Sequence, residues 1–205
     1  PLGEAHLKIY TQGRDQFTIA ATSENVTPAG TYEHAVPHLT RDNQLPEQHL
    51  CWTDKDTSGT EHVPGKPKDD ATWLGSTLRP VSQTTDIEDH CQIDFTFSGR
   101  RYTVFHRDQA GSTDPDIFLE ITTWDGTTWT DVAEFGLTNS NGLDFPSLWI
   151  RNTSTTTEVG VVASNPTSEN IAYWNCGPGT EAACDSAAEF GAPQAVTTGG
   201  NKRSP

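Results

Sequence analysis

Ala133-Glu134-Phe135-Gly136 returns as Ala188-Glu189-Phe190-Gly191, 55 residues on from 133 to 188, and closes the second of two similar stretches between Cys91 and Gly191. Inside them, Asp116-Ile117-Phe118-Leu119 is answered at an offset of 54 by Asn170-Ile171-Ala172-Tyr173. A period of this length carried by short strands is the sequence mark of a repeat architecture. In the first copy Ile93, Phe95 and Phe97 alternate, Ser98-Gly99-Arg100 turns the chain, and Tyr102, Val104 and His106 follow on one face. A third run, Ile117 to Thr123, meets a fourth, Trp129 to Phe135, across Asp125-Gly126. Asp-Gly between alternating runs is a strong hairpin cue, because both turn positions tolerate positive φ. The second copy offers Phe145 to Ile150, Glu158 to Ala163, Asn170 to Cys176 and a short fourth strand ending at Phe190.

Four antiparallel strands in so short a span make a unit the size of a propeller blade. The expected fold is therefore all-β and antiparallel, with propeller-like repeats of four-stranded units. A β-sandwich built from the same strands is the alternative. The chain divides into an N-terminal hairpin with a loop-rich region (1–90), the two repeats (91–191) and a flexible tail (192–205).

Trp124-Asp125-Gly126-Thr127-Thr128-Trp129 resembles the hairpin turns of secreted bacterial β-propeller repeats. It is also similar to the Asp-box of sialidase-like propellers, S/T-x-D-x-G-x-x-W, except that Asp125 directly precedes Gly126. Asn139-Ser140-Asn141-Gly142-Leu143-Asp144 is similar to calcium-binding inter-strand loops of other extracellular propellers, with Asn in place of most Asp. The resemblance covers residues 91–191. It implies blades and an extracellular setting but no activity, since Asp-boxes are structural turns that lie away from catalytic centres.

The 205 residues carry a net charge of −15, and residues 108–201 contain thirteen acids and the single basic residue Arg151. Such a surface repels phosphate, which argues against nucleic-acid binding and permits calcium or basic partners. No apolar run is long enough for a transmembrane helix. No signal peptide is present, and Pro1 is read as the start of a mature or excised segment. Four cysteines allow three pairings. The expected one joins Cys176 to Cys184 around Gly177-Pro178-Gly179 and Cys51 to Cys91, and two disulfides imply an oxidising compartment. The rival is a zinc set of His49, Cys51, His90 and Cys91, although no CxxC pair is present. Asn25 and Asn152 stand in glycosylation sequons.

Residues 1–90 are harder to read. Leu7 and Ile9 alternate, as do Phe17 and Ile19, around Gln12-Gly13-Arg14-Asp15, which signals a hairpin. His34 and His38 are four apart, but Pro37 between them argues against a helix, so they are expected to be loop histidines. Pro64, Pro67 and Pro80 interrupt any long strand. Asp54, Asp56 and Ser58, ahead of Gly59, resemble the start of a calcium loop, although Gly65 or Lys66 stands where an EF-hand needs Glu.

Catalytic motifs are missing: there is no G-x-S-x-G, no P-loop and no GxGxxG. Adjacent carboxylates such as Asp114 with Asp116, Asp69 with Asp70 and Glu88 with Asp89 keep glycoside hydrolysis open. A sialidase-type site also needs clustered arginines, drawn from Arg79, Arg100, Arg101, Arg107 and Arg151. The sequence thus points to a secreted, non-enzymatic β-repeat protein acting as a cell-surface, adhesive or self-assembling component. It would bind itself, other surface proteins or glycans, with no membrane insertion and calcium as the one candidate cofactor. Alternatives are a glycan-binding module using Trp52, Trp73 or Trp124 as sugar platforms, and a fragment of a sialidase-like glycoside hydrolase.

Overall fold

The computed structural model describes residues 8–11, 22–25, 33–41, 48–55, 61–62, 64–68, 79–80, 87–96, 98–108, 115–124, 129–153, 155–165 and 170–197, with side chains at Cys51 and across most of 88–196. They are almost entirely antiparallel β. A hairpin of β1 (Lys8–Thr11) and β2 (Thr22–Asn25) comes first. Its second arm is Thr22–Asn25, and the Phe17-Ile19 run expected to pair there lies outside the described residues.

An N-terminal sheet follows, in the order β3 (Glu33–Arg41), β4 (Gln48–Lys55), β6 (Pro64–Lys68), β7 (Arg79–Pro80), with β5 (Glu61–His62) also on β4. His34 and His38 therefore lie in a strand and not in a loop. The middle sheet is a meander of β8 (Ile87–Phe95), β9 (Arg100–Asp108), β10 (Ile117–Trp124) and β11 (Trp129–Gly136). The C-terminal sheet repeats it with β12 (Asp144–Asn152), β13 (Thr157–Ser164), β14 (Ile171–Gly179) and β15 (Gln194–Thr197).

Period-two alternation explains how these sheets stack. On β10, Ile117, Leu119 and Ile121 point to one side and join Tyr102, Val104, Leu137, Val159, Val161 and Trp174 in a core shared with the C-terminal sheet. Phe118 points to the other side and joins Phe105, Ile93, Cys91 and Cys51 beneath the N-terminal sheet. β9 and β10 are thus covered on both faces, with β9 buried along nearly its whole length, while β11 at the sheet's end is largely exposed. Each large apolar side chain so buried contributes roughly 1.5–3 kcal/mol. The Cys51–Cys91 disulfide ties β4 to β8, and Cys176–Cys184 ties β14 to a short 3-10 turn at Glu181–Cys184.

The second Ala-Glu-Phe-Gly is not a strand. Ala187–Phe190 forms a single helical turn, α1, and the fourth strand is Gln194–Thr197, within the stretch expected as tail. Ser186 and Glu189 have capping-box spacing, and Glu189 Oε2 accepts the backbone N–H of Ser186 (2.9 Å) and of Asp185 (2.7 Å). In the first copy Asp131 stands at the same spacing ahead of Glu134, but the strand Trp129–Gly136 pairs along β10, Asp131 opposite Thr122, and that ladder keeps the tetrapeptide extended. The two phenylalanines still meet in the shared core, with ring centroids 5.9 Å apart.

One device recurs at the start of all three sheets. β3, β8 and β12 each carry a bulge in which two residues oppose one: Val36-Pro37 against Trp52, His90-Cys91 against Phe105, and Phe145-Pro146 against Ala163. The residues just before the bulges are Ala35, Asp89 and Asp144, at nearly the period read from the sequence. Pro37 and Pro146 sit where the ladder is interrupted and no donor is required. β8 packs against β3, β4 and β12, so these first strands lie together.

Candidate functional site

The β8 and β12 bulges bring four chemistry-bearing side chains into one cluster. Asp89 and His90 come from β8, His106 from β9 opposite Asp89, and Asp144 from the start of β12. His90 and Phe145, the first residue of each bulge, have φ of 49° and 51°. That left-handed backbone is uncommon for side chains of this size, and it turns the strand so that the preceding aspartate faces the neighbouring sheet.

Asp89 Oδ1 lies 2.9 Å from His90 Nδ1 and 2.8 Å from His106 Nδ1. Asp144 Oδ1 lies 3.0 Å from His90 Nδ1 and 3.9 Å from His106 Nδ1, and it accepts the Phe145 N–H at 2.6 Å. The Phe145 ring, 39% exposed, leans on the His90 ring with centroids 4.5 Å apart. All four polar side chains are half-buried.

The electrostatics follow from this sharing. Burial alone would raise Asp89, but hydrogen bonds from His106 and His90 outweigh it and hold the carboxyl well below the usual range. Asp144 is treated alike: burial pushes up, while His90 and the Phe145 N–H bring it down. Hydrogen bonds to Asp144 and then Asp89 lift His90 to about 10 against its partial burial. His106 is lowered by burial but raised on balance by Asp89, with Asp144 and Asp116 adding to that. The His90 imidazolium is therefore held between the two carboxylates, with His106 drawn towards its charged form by Asp89.

The seam around the cluster is firmly tied. Gln92 Oε1 accepts the Leu148 N–H (2.9 Å) and the Ser147 hydroxyl (3.2 Å), and Asn152 Nδ2 donates to the Phe95 carbonyl (2.8 Å). Ahead of Asp144, the loop 137–143 is organised on Ser140. Its fully buried hydroxyl accepts the N–H groups of Asp116 (3.0 Å) and Ile117 (3.1 Å) and donates to the Leu137 carbonyl (2.8 Å). Asp116 in turn accepts the Gly142 N–H.

The residues singled out in the sequence are dispersed. Cys51, Cys91, Cys176 and Cys184 are all in disulfides, so the zinc set using two of them does not form. Asp54 lies in β4 opposite His34 and His62; its side chain, with Asp56 and Ser58, falls outside the described residues. Trp73 does too, as do the side chains of Trp52 in β4 and Trp124 at the end of β10. Asn25 ends β2, and Asn152 ends β12 with its amide engaged as above. Arg100 pairs with Asp185, Arg107 with Glu88 and Glu134, and Arg151 with Glu158, so these three arginines serve separate carboxylates.

Of the cluster, the sequence offers His90 in the rival zinc set, His106 on a strand face, Asp89 in an adjacent carboxylate pair with Glu88 and Asp144 at the end of a loop. One signal was there: sliding the chain by 55 residues lays Asp89-His90-Cys91-Gln92-Ile93 on Asp144-Phe145-Pro146-Ser147-Leu148.

No protein-family model matches the chain, and no curated protein matches it. Two disulfides are at home in an oxidising, extracellular environment. Among the described residues no helix is long and apolar enough to cross a membrane.

Proposed function

We propose that the chain is an extracellular β-repeat protein of propeller type that acts through its surfaces, as a cell-surface, adhesive or self-assembling component, and not through catalysis. The observation that carries this reading is the recurrence of one bulged first strand at the head of three successive meanders, with those first strands packed together. Blades that begin at an inner strand and run outward have this order. The two carboxylates of the cluster are both held low, so neither is suited to be the proton donor a glycosidase requires. Among the described residues β11 and β15 end their sheets, and such backbone edges can be extended by a second copy or another surface protein.

Light scattering on the purified, disulfide-intact chain tests the reading. The mass is expected to rise with concentration, and Val196→Lys on β15 to reduce that rise by charging the edge. A monomer of constant mass at every concentration would sink self-assembly, and turnover of fluorogenic glycosides would overturn the non-catalytic assignment.

A further inference from the structure

We propose that Asp89, His106 and Asp144, with His90 sharing the same two carboxylates, bind a divalent first-row transition ion of the zinc class, which staples the first strands of two successive sheets. This goes beyond the surface role above and does not depend on it. One ligand atom from each of Asp89, His106 and Asp144 lies within 4.8 Å of the others. A tetrahedral ion with ligands at about 2.0–2.2 Å sets them roughly 3.3–3.5 Å apart. His106 Nδ1 lies 2.8 Å from Asp89 and 3.9 Å from Asp144, on either side of that spacing.

Donor chemistry selects the metal class. Calcium and magnesium take oxygen ligands, whereas imidazole with carboxylate suits zinc, cobalt, manganese or iron. Both histidines present Nδ1 to the carboxylates, and it is this nitrogen that gives up its proton when an ion takes the proton's place. The Asp144 carboxylate is already aimed by the Phe145 N–H, as outer hydrogen bonds aim metal ligands. Half-burial leaves a path for entry, and the Phe145 ring covers one side of His90.

The arrangement also accounts for the repeat-related bulges. Asp89 and Asp144 occupy the same position in successive repeats, and each bulge turns its aspartate into the space between the two sheets. An ion held there links β8, β9 and β12 at the seam where the repeats meet.

The test uses the full, disulfide-intact chain, stripped with chelator and titrated with zinc, cobalt and calcium in turn. Zinc and cobalt are expected to saturate at one equivalent at micromolar protein and to raise the melting temperature, while calcium does neither at the same concentration. His106→Gln and the double variant Asp89→Asn/Asp144→Asn are expected to weaken zinc binding at least about 100-fold, more than loss of an outer-shell partner does. Absence of saturable zinc or cobalt binding to the wild-type chain overturns the proposal, as does undiminished binding by the folded double variant. If a variant does not fold, wild-type NMR decides: zinc must shift the ring protons of His90 and His106, and unshifted rings refute the site.

Discussion

Ser140 uses its whole hydrogen-bonding capacity inside the fold, and its removal is the sharpest test of how the loop ahead of Asp144 is held. A serine hydroxyl has one donor and two acceptor positions. Here the donor goes to the Leu137 carbonyl and the acceptors take the N–H groups of Asp116 and Ile117, with none of the side chain exposed. Ser140→Ala deletes the oxygen and leaves both N–H groups facing a buried methyl. The Leu137 carbonyl keeps the Ser140 N–H at 3.3 Å, so the acceptor side loses less. At about 1–3 kcal/mol for each unsatisfied buried donor, the variant should lose about 2–6 kcal/mol. With a urea slope of about 2 kcal/mol/M, the unfolding midpoint falls by about 1–3 M. Urea denaturation followed by tryptophan fluorescence reads this directly. A loss under about 0.5 kcal/mol would refute the reasoning, because it would mean that water or backbone relaxation replaces the hydroxyl at no cost.

Gly160 lies directly across from Trp149, and a methyl there would overlap the indole, so Gly160→Ala should cost about 1–3 kcal/mol in thermal unfolding and change the near-UV circular dichroism. Arg107 bridges buried Glu88 (2.8 Å) and Glu134 (2.7 Å) over the Phe118 ring, so Arg107→Leu strands a charge at a cost of about 3–5 kcal/mol, and Glu88→Leu/Arg107→Leu should cost less than that single change by urea titration. Removing the Cys51–Cys91 disulfide, which spans 40 residues, should destabilise by about 4 kcal/mol, and removing Cys176–Cys184, which spans 8, by about 2.5 kcal/mol, as measured on paired Cys→Ser variants. In chelator, the raised His90 contributes stability that is full below about pH 6.5 and lost as pH rises towards about 10, while the lowered Asp89 and Asp144 contribute above pH 3.8 and fade as pH falls below it. Metal-free melting temperatures should therefore peak between these limits, and His90→Gln should flatten the alkaline side.

The two later meanders were legible because Ile117-Phe118-Leu119 and Val159-Gly160-Val161 carry simple period-two signals with turn residues between strands. The N-terminal sheet was not. Pro37 argues against a helix and leaves a loop, and Pro64 reads as a strand breaker, yet Pro37 occupies a bulge and Pro64 sits at the first residue of β6, where a missing donor does little harm. The tetrapeptide at 188–191 misled because its conformation is set by its surroundings, pairing along β10 in the first copy and a Ser186–Glu189 cap in the second, not by its own four residues. The cluster was hidden for a different reason. Nothing in a strand pattern announces a two-for-one bulge, and only that bulge directs Asp89 and Asp144 to a common point. The histidines then complete the group through pairing across β8 and β9, a contact that spans 17 residues between Asp89 and His106.

Because β8 and β9 are held beneath the N-terminal sheet, the start of the middle sheet is a poor place for scissors. A cut just ahead of Ile87 would strip the cover from Ile93, Phe105 and Phe118 and leave Cys91 without its sulfur partner. Shortened versions begun there should be sticky and prone to clump, and useful dissection of the molecule has to carry at least Glu33 to Thr197 as one piece.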